Sequence, residues 1–383
     1  MNPDAAETVA AVLPPDAPPF AFAFSGGGDS LALLGILKAH SGLRAVLHVD
    51  HGLRDTSQAE AAQAADLAAG HGHDLVILRW SADGPTSGLQ EKARRARYGL
   101  MGDYCRLHRI PALVTAHHAD DQAETVLMRV KRASGWRGAA GMRTQRYGPV
   151  WPELAGVTLV RPALCLRRAA LRSGLEAGRA IEDPSNGDLS FERVRTRREL
   201  QAHPELISDM LALAADMADG LSADMARIRA ALNGYHLTHE GQFSVPRLIG
   251  EPALSLVAPI VGGQGGPADR ARIAARLPDL ASGDPVAIGE GCMGRWDGEI
   301  LTLSRDPVAM TGRKDRRLAP TAVPIAVTPE PAVWDGRFLV SGEGGQLHPE
   351  RRGLHVGYRV HYGRTVKVRN LVEERLSAAL TLS

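Results

Sequence analysis

Cysteine is scarce in this 383-residue chain: Cys105, Cys165 and Cys292 lie far apart, and none belongs to a CxxC pair. That spacing argues against a zinc knuckle, a cysteine-held iron–sulfur cluster or a dithiol redox couple, and leaves buried free thiols as the expectation. Long apolar runs are missing as well. No segment approaches the roughly 20 residues that cross a bilayer as a helix, and residues 1–19 hold neither an early Lys or Arg nor an apolar stretch of signal length. A loose N-terminal tail, a cytoplasmic location and no membrane partner are therefore expected. A strong charge of one sign is absent too: 45 basic against 43 acidic residues leave a formal net charge of +2, so no global field announces a polyanion.

What is present is the 44% hydrophobic content of a packed globular protein, in a chain long enough for two or three domains. Arginine is placed unevenly, with clusters at Arg193, Arg195, Arg197 and Arg198, around Arg313–Arg317, and from Arg351 to Arg369. Guanidinium groups suit planar contacts to phosphate, so these are candidate footprints for an RNA backbone, with a solvated face as the plain alternative for each.

From about residue 20 to 161, short apolar runs alternate with amphipathic stretches. FAFAF (20–24), AVLHV (45–49), LVILRW (75–80) and ALVTA (112–116) predict buried strands; 30–41, 57–71, 88–108 and 120–134 predict helices. Strand–helix alternation implies βαβ units and a parallel sheet, whose ligands gather at the carboxyl ends of the strands. EDPSNGDLS (182–190) reads as a turn-rich linker, and 204–233 as a strong helix whose Met and Leu stripe is core packing. Beyond about 240, RWDGEILTLS (295–304) and VWDGRFLVSG (333–342) each predict a hairpin around Asp-Gly, in a small β-containing region.

The most informative stretch is AFAFSGGGDSLALL (21–34). A strand delivering Gly26, Gly27 and Gly28 into a helix start sets backbone N–H groups beside the positive end of the helix dipole, which is an anion site. Ser25 and Ser30 add hydroxyls, and Asp29 adds a carboxylate. The loop lacks the Lys of a Walker A motif and is not GxGxxG, which fits a metal-bound pyrophosphate that departs rather than γ-phosphoryl transfer.

SGGGDS resembles the SGGxDS signature of the PP-loop ATP pyrophosphatases. HVDHGLRDTSQAEA (48–61), TAHHADDQAETVLMRVKRASGWRGAAGM (115–142), EKARRARYGL (91–100) and EDPSN (182–186) are similar, in order and spacing, to motifs of one family of that superfamily, the tRNA(Ile)-lysidine synthetases. The resemblance covers about residues 20–200. It implies an α/β fold: a Rossmann-like, adenine nucleotide alpha hydrolase-like PP-loop domain, then a helical segment and a small β-containing C-terminal region. The organisation expected is a flexible tail at 1–19, an ATP-binding catalytic domain at 20–190, a helical linker and tRNA-contact region at 191–240, and tRNA recognition at 241–383.

The resemblance further implies ATP and Mg²⁺, free L-lysine, and tRNA(Ile) with a CAU anticodon whose wobble cytidine is adenylylated and then joined to lysine at carbon 2. It leaves a homodimer open. ATP would lie on Ser25, Gly26, Gly27, Gly28, Asp29, Ser30, Asp50 and His51, with Gly52, Leu53 and Arg54 beside them. Asp29 would contact the metal, and His117 would steady the adenylate. Asp121 and Glu124, three apart on one helix face, would bind the ammonium of lysine and take its proton, since a protonated amine has no lone pair to attack with. Arg97 would grip the lysine carboxylate or a phosphate, while Arg193, Arg195 and Arg198 would contact tRNA. Val194 stands where the family pattern has Asn, Gly28 is expected only to loosen the turn, and Asp120 is expected simply to stabilise its helix start.

Two other classes compete with this one. Another PP-loop enzyme, such as a tRNA cytidine thiolase, would need cysteines to carry sulfur or a cluster, and an amidotransferase would need a glutamine-hydrolysing domain. An inactive RNA-binding relative would be expected to have lost the carboxylates, yet Asp29, Asp121 and Glu124 are present.

Overall fold

The structure is a computed structural model, and it describes residues 3–52, 57–80, 89–176, 178, 180–181, 187–310, 325–352, 355–361 and 366–381. Leu53, Arg54, the linker at 182–186 and the Arg313–Arg317 cluster lie outside the described residues, as do the side chains of 351–365. Chain contacts divide the molecule into two units: residues 1–146 with 157–222, and 147–156 with 223–383.

The first unit runs α1 (Pro3–Val12), β1 (Phe20–Ala23), α2 (Gly28–Leu37), β2 (Leu43–Asp50), α3 (Ser57–Ala69), β3 (Leu75–Arg79), α4 (Leu89–Leu107), β4 (Ala112–Val114), α5 (Ala119–Lys131), α6 (Gly135–Ala139), β5 (Gln145–Tyr147), β6 (Thr158–Val160), α7 (Arg168–Arg172), α8 (Glu192–Ala202) and the start of α9 (Glu205–Ala231). The strands form one sheet in the order β3-β2-β1-β4-β6-β5, and the four pairings from β3 to β6 are parallel. Phe20, Ala21 and Phe22 are fully buried because a central parallel strand is covered on both faces. In α3, Ala61, Ala64 and Ala68 form the inward stripe, and side chains this small let the helix approach the sheet closely.

Residues 3–13 are not a loose tail. Helix α1 buries Ala5 and Val9, and with Leu13 they join the core around Phe20 and Leu34. These residues recur every four positions, a stripe short enough to be overlooked beside the prolines that follow. The helix expected at 204–233 forms as α9, and its first turns pack Leu206, Ile207 and Met210 against Ala123, Leu127 and Leu200.

In the second unit, strands His236–Leu237, Phe243–Val245, Leu301–Arg305, Cys292–Trp296 and Val286–Gly289 neighbour one another in that order. Both Asp-Gly hairpins form: Cys292–Trp296 pairs antiparallel with Leu301–Arg305, and Ala332–Trp334 with Phe338–Ser341. Gly298 turns with φ 101°, whereas in the second hairpin both Asp335 and Gly336 adopt positive φ, 52° and 61°. Asp335 is also the carboxylate between two fully buried guanidinium groups, with Arg305 Nη2 at 2.8 Å and Arg337 Nε at 2.6 Å. Burial pulls the Arg337 guanidinium down, opposed by the charges of Asp335 and Glu240.

Two of the three thiols are buried, Cys105 and Cys292, and burial pushes each up to about 12. Cys165 departs from expectation: it is exposed. No described helix is long and apolar enough to cross a membrane.

Candidate active site

The loops that follow β1, β2 and β4 at their carboxyl ends converge on one cleft of about 1050 Å³. Its wall includes Ser25, Gly27, Gly28, Asp29 and Ser30 after β1, Asp50 and His51 after β2, Thr115 and His117 after β4, Arg97 and Tyr98 of α4, Arg168 and Arg172 of α7, and Arg197 of α8.

Hydroxyls hold the glycine turn from within. Ser30 Oγ donates to Gly27 O at 2.8 Å and lies 3.1 Å from Ser25 Oγ, which accepts Gly27 N–H at 3.3 Å. Gly26 has φ 79°, and a Cβ there would collide with Ile181, so glycine is required twice over. Gly27 begins α2 with extended backbone and no side-chain cap. The first-turn N–H groups of this ten-residue helix therefore present an anion site at the cleft wall. Gly28 sits in that first turn without positive φ, so its backbone conformation does not itself require glycine.

Asp29 Oδ1 accepts from Arg172 Nε at 2.7 Å, with Arg168 Nε and His118 Nε2 both at 3.5 Å. Burial alone would raise its pKa, but His118 and Arg172 outweigh that and hold the carboxyl well below the usual range. Asp50 accepts Gly52 N–H at 2.9 Å and so shapes the turn after β2. The His51 ring stands edge-on to Trp80, and its buried Nδ1 has no hydrogen-bond partner among the described residues. Burial, then the charges of Arg97 and His48, lowers its pKa.

His117 Nδ1 hydrogen-bonds Thr115 Oγ1 at 2.8 Å. Burial, followed by the charges of Arg161, Arg193, Arg97 and His118, pushes it well below the ordinary imidazole value, so it is neutral at physiological pH. His118 is the N-cap of α5 and forms a capping box with Asp121. Because His118 Nδ1 accepts Asp121 N–H, the ring proton sits on Nε2, the nitrogen facing Asp29 and Asp121.

Asp121 and Glu124 do share one face of α5, and α8 supplies their partners. Arg193 donates to Glu124 Oε2 and Asp121 Oδ1, both at 2.7 Å, and Arg197 Nε reaches Glu124 Oε1 at 2.6 Å. Burial would lower both guanidinium pKa values, but the carboxylates raise them. The arginines of α8 thus divide by helical position: Arg193 and Arg197, four apart, face the carboxylates, whereas Arg195 and Arg198 are exposed. Val194 is buried on the inner side of that helix.

Asp120 does more than sit at its own helix start. It accepts Arg168 N–H at 2.7 Å and pairs with Arg167, capping the neighbouring α7. Sequence reasoning missed Arg168 and Arg172 altogether. The available signal was an arginine pair four apart just after a strand; its partner, Asp29, lies 143 positions from Arg172 in sequence. His48, which bonds Phe24 O and lines the cleft, was likewise unmarked. No group of three or more metal-ligating side chains occurs among the described residues.

Comparison with known proteins adds the family. Residues 1–204 match the PP-loop domain family. A tRNA(Ile)-lysidine synthase of Ruegeria pomeroyi is 35% identical over 84% of this chain and 76% of its own length. One of Novosphingobium aromaticivorans is 38% identical over 77% of this chain and 90% of its own, and one of Methylobacterium nodulans 36% identical over 76% and 91%.

Proposed function

Because the chain belongs to the tRNA(Ile)-lysidine synthase family of PP-loop proteins, we propose that its cleft adenylylates the wobble cytidine of a CAU anticodon and then joins lysine to that base. The observation that carries this reading is the meeting of two kinds of chemistry around His118. Asp29, at the anion-binding helix start, and Asp121, of the Asp121–Glu124 carboxylate pair, both approach its Nε2, at 3.5 Å and 3.4 Å.

ATP lies with its phosphates over Ser25–Ser30 and its nucleoside toward Asp50 and His51. The cytidine oxygen attacks the α-phosphorus, and the bond to pyrophosphate breaks. Negative charge grows on the departing group, where the N–H groups of the α2 start meet it. Neutral His117 hydrogen-bonds at this point without adding charge. In the second step the lysine amine attacks carbon 2 and AMP leaves. Asp121 and Glu124 orient the ammonium and accept its proton before attack. Arg193, with a side chain 42% exposed, is the partner an incoming ammonium can displace. Arg97, in the cleft wall, holds the lysine carboxylate or a phosphate.

Asp29, held ionised at the loop, is the carboxylate that would hold Mg²⁺ beside the phosphates, a hard oxygen donor suited to that cation. When bound, the ion neutralises charge on the pyrophosphate. Exposed Arg195 and Arg198 contact the tRNA backbone, and the location is cytoplasmic.

Incorporation of radiolabelled lysine, with purified protein, ATP and Mg²⁺, tests the reading. Label should enter transcripts with a CAU anticodon and not those with a substituted wobble base. Absence of label from the CAU transcript refutes it.

A further inference from the structure

We propose that Arg172 is the cation that grips the pyrophosphate end of ATP in this chain, and that position 28 is glycine to admit it. The inference rests on the function proposed above and adds a residue to its phosphate site.

A PP-loop lacks the lysine with which a Walker loop reaches the outer phosphates. Here a guanidinium stands over the loop instead. A Cβ built on Gly28 would meet Arg172 Cζ at 2.7 Å, Nη1 at 2.9 Å and Nε at 3.0 Å. Gly28 has ordinary helical backbone, so conformation does not demand glycine there. The space above it does.

The side chain is positioned from both ends. Asp120 caps the first turn of α7 by accepting Arg168 N–H, which fixes the helix that carries Arg172. At the far end, Nε rests on Asp29 Oδ1 at 2.7 Å. Arg168, one turn earlier, places its buried Nε 3.5 Å from the same oxygen, and that nitrogen has no hydrogen-bond partner among the described residues. Two guanidinium groups thus converge on one carboxylate beside an uncapped helix start, an excess of positive charge that only an anion completes. With phosphates bound, Arg172 would direct its planar donors to the β- and γ-phosphate oxygens, leaving Asp29 as the carboxylate that would hold the metal. It is a phosphate-positioning residue, and it would hold the leaving group rather than the nucleotide.

Four variants of the full chain test this: Arg172→Ala, Arg172→Lys, Gly28→Ala, and Gly28→Ala with Arg172→Ala. Affinities for inorganic pyrophosphate and for AMP, each with Mg²⁺, are read by calorimetry, and urea midpoints verify folding. Arg172→Ala should weaken pyrophosphate about tenfold or more and leave AMP unchanged, because a charge-assisted hydrogen bond is lost at one ligand only. Arg172→Lys should recover part of the loss. Gly28→Ala displaces only the far end of a flexible side chain, so it should fold, lose pyrophosphate affinity alone, and show no further loss in the Arg172→Ala background. This variant decides the matter if Arg172→Ala does not fold. Unchanged pyrophosphate affinity, equal loss of AMP, or additive effects of the two substitutions would overturn the assignment. Wild-type tRNA-dependent release of AMP tests the parent reading separately. If it persists while the variants bind pyrophosphate normally, only the role of Arg172 falls; a wild type that binds neither ligand refutes both.

Discussion

His118 and Asp121 cap each other: His118 Nδ1 accepts the Asp121 N–H at 3.3 Å, and Asp121 Oδ2 accepts the His118 N–H at 3.1 Å. Histidine is not among the preferred N-cap residues. Its use here leaves Nε2 pointing at the PP-loop carboxylate, so one ring both starts the helix and links the two halves of the site.

That double duty can be separated. His118→Ala should cost about 1 kcal/mol through the lost cap, and it should reduce activity. His118→Asn restores a good cap without reaching Asp29. Urea denaturation should show near wild-type stability for the Asn variant, with lysine incorporation still impaired.

Asp121→Asn keeps the size of the side chain and removes its charge. Binding of ATP, measured by equilibrium dialysis, should stay largely intact because the phosphate loop is untouched, while lysine transfer is abolished. Normal turnover in this variant would exclude Asp121 from the lysine step.

The site's histidines set a pH dependence. Burial lowers His48, His51 and His117 below the ordinary 6.5, His117 most of all. The unfolded chain therefore binds protons that the folded chain refuses, and stability is complete above the unfolded value and declines as pH falls through and below it. The urea midpoint should drop between about pH 7.5 and about pH 5.5. His117→Gln should make that decline shallower, and an unchanged slope would count against a buried neutral His117. Asp29, also lowered, acts in the same direction but only in more acid solution.

Replacing Arg195 and Arg198 with Ala should weaken tRNA binding by a salt-dependent amount, lowering the slope of log K against log salt by about 2. Filter binding across a salt series measures it. Both residues are exposed, and because Arg195 Nη1 donates to Leu189 O and Ser190 O, both at 2.7 Å, a loss of stability of about 1 kcal/mol is expected from that position alone.

The sheet was legible in the sequence because buried parallel strands are apolar runs, and FAFAF, AVLHV and ALVTA each stop where a chemical motif begins. The glycine turn and the Asp121–Glu124 spacing were legible for the same local reason. What escaped were partnerships across long sequence distances. Arg172 reaches Asp29 from a five-residue helix too short to carry a periodic pattern. Arg193 and Arg197 look in sequence like their neighbours Arg195 and Arg198, and only the docking of α8 onto α5 divides ion-pair partners from candidate RNA contacts. The helix α1 was hidden because three small or medium apolar residues are a weak signal beside four nearby prolines.

In the second unit, Asp335 between Arg305 and Arg337 restricts how this protein can vary over generations. Loss of Asp335 strands two buried guanidinium groups, and loss of either arginine leaves a single pair whose next loss strands a charge, at a cost of about 3–5 kcal/mol, a large part of the margin by which folded domains persist. An apolar replacement of all three at matched volume is physically permissible, yet every single-step route to it passes through a poorly folding intermediate. The hairpin tip at Asp335–Gly336 should therefore be historically locked, changing only in company with Arg305 and Arg337.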